Sequence, residues 1–229
     1  MKKVILPILT GALLSVNAMA QQTAPEVADL SGVLTDNSFS WDLTFPGEPG
    51  VKGCVGDFNE DGIDDFILTG LYSEGETTKS FLRVYLCQSA GDPVLAYSNL
   101  EFTKGGNGAI DCYKKADGSW IVAIQGGNSG NWTNPFTAAT YKLTVEGTTA
   151  NMELVNDLDF GAGRGAILLF DADGDGNPDI FQNGWVGNQD WTDQANLYLN
   201  DGDDWFMLQD ESGIVKASNL FTTKADING

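Results

Sequence analysis

The feature that most restricts the fold of this chain is an acidic stretch that returns at a fixed interval. "VGDFNEDGIDDFILTG", residues 55–70, sets five carboxylates in nine positions between apolar flanks. "LLFDADGDGNPDIFQNGW", residues 168–185, repeats the pattern. Asp57, Asn59, Asp61, Gly62 and Asp65 align with Asp171, Asp173, Asp175, Gly176 and Asp179. Both copies read D-x-[DN]-x-D-G-x-x-D. Their glycines stand 114 residues apart, and midway lies "AIDCYKKADGSWIVAIQGG", with Gly118 56 residues after Gly62. In this middle copy the acids are gone. Lys114 stands where Asp171 stands, Ala116 falls near Asp173, Ile121 replaces Asp179, and only Asp117 survives.

The same period continues downstream in Tyr85, Tyr141 and Tyr198, within "LRVYLC", "TYKLTV" and "NLYLND". A period of roughly 50–60 residues built from short β-branched and aromatic runs predicts repeated small antiparallel sheets. No window after the N-terminal stretch carries a helical period. The expected class is all-β, with a propeller of four-stranded blades as the leading architecture. A β-sandwich matches the strand density but not the repeat.

The chain opens "MKKVILPILTGALLSVNAMA": a charged start at Lys2 and Lys3, an apolar run, then Ala18-Met19-Ala20. That is the layout of a secretory signal peptide over 1–20, too short for a stable membrane span. The sequence predicts an N-terminal segment and first strand over 21–44, then repeats at about 45–100, 101–158 and 159–215, with a partial one at 216–229. "ADING" near the end reads as the start of another loop, with Asp226 and Asn228 at its first and third positions. The expectation is an open array of about three blades and the beginning of a fourth, which continues into, or pairs with, further repeats. The predicted location is secreted, extracellular or at the cell surface, with the periplasm as the other export destination.

Charge narrows the partners. Without Lys2 and Lys3, ten basic residues face 32 acidic ones. Such a surface repels nucleic acid and anionic membranes, and neither is an expected partner; its natural counterion is a metal cation. Histidine is absent, which removes Ser-His-Asp and Cys-His catalysis and the His-based zinc sites. The three cysteines, Cys54, Cys87 and Cys112, allow at most one internal bridge. Small buried apolar residues are an equally good account of them.

Acids at positions 1, 3, 5 and 9 around a glycine at 6 converge oxygen ligands on one point. Calcium takes six to eight such ligands, backbone carbonyls included. The expected ligands are Asp57, Asn59, Asp61, Asp65 and the carbonyl of Ile63 in the first loop. In the other they are Asp171, Asp173, Asp175, Asp179 and the carbonyl of Asn177. About two calcium ions per chain follow. An EF-hand would need Glu at position 12, where Leu68 and Gln182 stand.

These stretches resemble the calcium loops of FG-GAP repeats, the blade units of integrin α-subunit propellers and of secreted bacterial VCBS-type proteins. "NLYLNDGDDWF", residues 196–206, is similar to the strand and turn that close such a unit. The resemblance implies a propeller with calcium in the hairpin joining a blade's first two strands, and a metal-free middle blade. It also sends the loops after each second strand to the opposite face: 72–80, 127–136 and 184–194. Trp132, Trp185 and Trp191 lie there, a candidate surface for a glycan or extracellular protein; packing between blades is the competing role. The expected function is a secreted, calcium-stabilised binding or adhesion module and not an enzyme. The alternative is the propeller of a carbohydrate-active enzyme such as a polysaccharide lyase, for which a chain with no His and little Arg is poorly equipped.

Overall fold

The short β-branched and aromatic runs form strands, and the strands form three antiparallel sheets of four. The computed structural model describes residues 51–74, 76–127, 136–158, 160–186, 192–202 and 206–208, without the side chains of 73, 74 and 206–208. All of them belong to one unit, Trp41–Gly229. The predicted signal peptide over 1–20, the segment 21–44, Trp132, Trp191, and Asp226 and Asn228 lie outside the described residues.

Sheet one runs β1 (Lys52–Gly56), β2 (Asp65–Glu74), β3 (Thr77–Leu86), β4 (Val94–Phe102) in spatial order. Sheet two has β5 (Gly106–Lys114), β6 (Trp120–Gly127), β7 (Thr137–Glu146) and β8 (Thr149–Leu158), again as a meander. Sheet three has β9 (Ile167–Phe170), β10 (Asp179–Val186), β11 (Thr192–Asn200) and β12 (Phe206–Leu208). No helix occurs among the described residues. The described residues therefore adopt the all-β class read from the repeat, and their three sheets form an open array. Among the described strands, packing joins sheet one to sheet two through β1, β2 and β5. It joins sheet two to sheet three through β5, β6 and β9.

Register makes the repeat physical. Directly opposed residues of an antiparallel ladder share a face, and one transverse row recurs in every sheet. It reads Val55, Phe66, Tyr85, Leu95 in the first sheet. In the second it reads Cys112, Val122, Tyr141, Leu154. In the third, Leu169, Ile180 and Tyr198 align with Leu208 of β12. The repeated tyrosines hold one ladder position three times. We call the face carrying this row the front.

The front of sheet two packs on the back of sheet one. Cys112, Val122 and Ile124 meet Cys54, Ile67 and Val84 in a buried cluster. The front of sheet three packs on the back of sheet two, where Leu169 and Ile180 meet Ala109, Ala123 and Ala138. Each fully buried Val, Leu or Ile contributes roughly 1.5–3 kcal/mol by transfer from water, so these two seams hold the sheets together. Cys54 and Cys112 are buried in the first seam, which is the small-apolar role.

A polar strip runs beside the second seam. Gln125 is fully buried; its Nε2 donates to the carbonyls of Ala166 (3.0 Å) and Asn183 (3.3 Å). Its Oε1 accepts the amide of Ala162 (3.3 Å), while Asn183 Oδ1 accepts the amide of Ala166 (2.7 Å). Beside these bonds, Gly108 lies against β6 and Gly165 against β10: a Cβ would fall on the carbonyl oxygen of Gln125 or of Asn183 respectively.

Candidate metal centre

The first acidic stretch, residues 57–64, is the hairpin between β1 and β2; the second, residues 171–178, is the hairpin between β9 and β10. The two share most of their hydrogen bonds and differ in one donor to the position-1 carboxylate. At position 1, Asp57 accepts the amides of Asp61 (3.0 Å) and Gly62 (2.9 Å). Asp171 accepts those of Gly174 (2.7 Å) and Gly176 (3.0 Å). At position 3, Asn59 Oδ1 accepts the Asp61 amide and Asp173 Oδ1 the Asp175 amide, both at 3.2 Å. At position 5, Asp61 and Asp175 accept the amides of Ile63 (2.9 Å) and Asn177 (2.7 Å). The hydrogen bond from Asn177 holds the exposed Asp175 carboxyl below its ordinary pKa. Gly62 (φ 86°) and Gly176 (φ 89°) occupy the left-handed turn at position 6, open to glycine at no steric cost.

Position 9 does something else. Asp65 and Asp179 are the first residues of β2 and β10 and are fully buried. Asp65 takes the amide of Phe58 (2.9 Å) on one oxygen and that of Cys87 (2.8 Å) on the other. Asp179 takes those of Ala172 (2.6 Å) and Asn200 (2.8 Å). Each carboxylate thus ties its acidic loop to the end of the sheet's third strand. Burial pushes both carboxyls above the ordinary range, despite the backbone donors that pull them back.

The donor set fits a hard cation. In the second loop one carboxylate oxygen from each of Asp171, Asp173 and Asp179 lies within 4.8 Å of the others. Two ligands of one calcium at about 2.3–2.6 Å can stand at most about 4.6–5.2 Å apart, so this spacing is compatible with a shared ion. Asp57, Asn59, Asp61 and Asp65 repeat the fold of the loop with an amide oxygen in place of the second carboxylate. Ile63 and Asn177 carry the position-7 carbonyls.

In the middle sheet, Ile121 faces Tyr113 across the ladder as Asp179 faces Phe170 and Asp65 faces Gly56. Ile121 therefore holds the ninth position, where it packs against the second seam and accepts no amide. The loop is one residue shorter, and the ladder gains the pair Lys114–Trp120. Asp117 keeps only the position-5 turn, accepting the amide of Ser119 (2.9 Å). Lys114, which aligns with Asp171, serves a different loop. It is the last residue of β5, and its ammonium pairs with Glu60 of the first acidic loop at 2.9 Å. This contact leaves no mark in the repeat pattern, because pairing between repeats is invisible to an alignment of repeats. The double-acceptor role of Asp65 and Asp179 was equally hidden; the apolar residues that follow each acid are its only trace.

Trp185 is 4 % exposed and meets Phe136 edge-to-face at 5.7 Å between centroids. Its ring is a packing element and not an exposed platform, because a large indole at the base of the loop buries more apolar area inwards than outwards.

Fold and loops together define an all-β protein of three antiparallel sheets, two of which open with an acidic, glycine-turned hairpin. Compared with family models, curated proteins and solved structures, the chain matches none.

Proposed function

We propose that the chain is a secreted, calcium-stabilised module of FG-GAP type, its sheets arranged as blades of an open propeller, that binds a glycan or protein outside the cytoplasm. The observation that carries the reading is the shared set of hydrogen bonds at positions 1, 3, 5 and 9 of the hairpins Asp57–Asp65 and Asp171–Asp179, with the carboxylate spacing of the second. Asp57, Asn59, Asp61, Asp65 and the Ile63 carbonyl would hold one ion. Asp171, Asp173, Asp175, Asp179 and the Asn177 carbonyl would hold the other. Calcium supplies positive charge to loops that otherwise concentrate like charges. The middle hairpin takes none, and Lys114 supplies a fixed cation to Glu60 instead.

At millimolar calcium and a dissociation constant near 10⁻⁵ M, each site adds roughly 2.7 kcal/mol to stability. A thermal melt with and without chelator tests this. The expected result is a fall of several degrees on chelation, with Asp117→Ala behaving as wild type. A melt indifferent to chelator removes the reading.

Protons compete at the same carboxylates. The folded, metal-free protein holds protons on Asp65 and Asp179 more tightly than the unfolded chain. Their contribution to its stability is therefore present below the ordinary carboxylate pKa and lost as pH rises through the raised folded values. Calcium binds the ionised form and acts in the opposite sense. The gap between melts with calcium and with chelator should narrow as pH falls through this acidic window; a constant gap would separate the two carboxyls from the ion.

A further inference from the structure

The middle hairpin lacks the acids of the other two, yet it touches the first acidic loop at two of that loop's positions. At position 2, Phe58 is 5 % exposed and meets the Trp120 ring edge-to-face at 4.9 Å between centroids. At position 4, Glu60 pairs with Lys114, whose ammonium also lies 5.7 Å from the centre of the Trp120 ring. Gly56 makes room for the indole: a Cβ there would stand 2.5 Å from Cη2 of Trp120. Its ladder counterpart in sheet three is Phe170.

The second acidic loop has Ala172 and Gly174 at the same two positions. Ala172 is exposed, and a Cβ built on Gly174 would meet nothing within 4 Å. Neither residue carries a side chain that could reach a neighbouring sheet. Position 4 is left-handed in both loops, at φ 60° for Glu60 and 83° for Gly174. Glycine adopts that conformation freely and glutamate does not, so the first loop keeps a costly residue where the second keeps an easy one. The Glu60 and Lys114 side chains are 66 % and 41 % exposed, and an ion pair so open to water contributes little. The buried Phe58–Trp120 contact is the stronger of the two attachments.

We propose that Trp120 is a positioning residue for the first calcium site: by holding Phe58 it fixes the loop in its binding shape before the ion arrives. The amide of Phe58 donates to Oδ2 of Asp65 (2.9 Å), so the residue that Trp120 packs on also orients the ninth-position ligand. A ligand shell already held in place loses less freedom on binding. That offsets the first loop's weaker donor set, in which Asn59 stands where the second loop has Asp173. The second loop has the extra carboxylate and no such brace, so calcium itself must order it. The inference rests on the calcium reading, and it gives the middle repeat, which lacks the acids, a part in binding the metal.

Calorimetric titration of the full chain with calcium chloride tests this one site at a time. Asp175→Ala isolates the first site and Asp61→Ala the second. In the Asp175→Ala background, Trp120→Ala should raise the first site's dissociation constant at least fivefold. Trp120→Phe, which keeps a ring against Phe58, should recover most of that loss. In the Asp61→Ala background, Trp120→Ala should leave the second site within twofold of its starting value. Where Trp120→Ala gives no cooperative melt in chelator, Trp120→Leu replaces it. An unchanged first-site constant overturns the proposal, because the indole is then only a packing element of the seam. Equal weakening of both sites overturns it too, since a general loosening does not choose between loops. If neither single-site background binds calcium before Trp120 is changed, the calcium reading itself falls and takes this inference with it.

Discussion

Asp179→Ala is expected to lose one bound calcium and about 3 kcal/mol or more of stability even when metal is absent. The carboxylate is fully buried and accepts two backbone amides, one from the loop at Ala172 and one from Asn200 at the end of β11. Truncation leaves two buried donors without acceptors, each costing about 1–3 kcal/mol, and opens a small void. The gain from removing a desolvated charge offsets part of this, because burial already disfavours the ionised form. Asp65→Ala should behave alike at Phe58 and Cys87. Asp175→Ala makes the useful comparison: this acid is exposed and bonds only within its loop, so it should lose calcium with little change in the chelated melt. Chemical denaturation in chelator and in calcium separates the two effects. Equal stabilities of Asp179→Ala and Asp175→Ala in chelator would deny Asp179 its clamping role.

The second large effect is at two glycines that lie against a neighbouring strand of their own sheet. Gly108→Ala should cost about 3 kcal/mol or more, near the upper end for a single overpacking change. Its Cβ would fall on the Gln125 carbonyl, a backbone atom that can move only by shifting β6. Gly165→Ala places the same carbon on the Asn183 carbonyl, in the strip where Gln125 bonds Ala166 and Asn183. Both variants should melt far below wild type in calcium and in chelator alike. Ala109→Gly, one residue along the same strand, should lose less because it removes a methyl and inserts nothing. A Gly108→Ala protein with wild-type stability would mean that β5 and β6 do not approach this closely at Gly108 and Gln125.

These two sets of residues also mark how far the sequence could be read. The acidic hairpins and the all-β class were legible because they are written locally. A D-x-[DN]-x-D-G-x-x-D run fixes its own turn through side-chain bonds to nearby amides, and a repeated tyrosine keeps its ladder position in every sheet. The order of strands within each sheet follows from short connections between them. What remained hidden depends on contacts between repeats. Lys114 reads as a lost ligand in an alignment, yet its partner is Glu60 in the neighbouring sheet. Gln125 and Asn183 carry no signal in the repeat pattern, yet both are buried and join two sheets. Trp185 reads equally as platform or wedge, and only the position of Phe136 decides for the wedge. Spacing along the chain carries no information about which face of the next sheet a side chain will meet.

The central claim is that two hairpins, and only those two, hold calcium. Equilibrium dialysis of the purified chain against buffered calcium, with bound metal counted by atomic spectroscopy, addresses it directly. The account predicts about two ions per chain for the wild type and for Asp117→Ala, one for Asp61→Ala, one for Asp175→Ala, and none for the double variant. A wild-type count of zero, or a count of two that survives in Asp175→Ala, would contradict it.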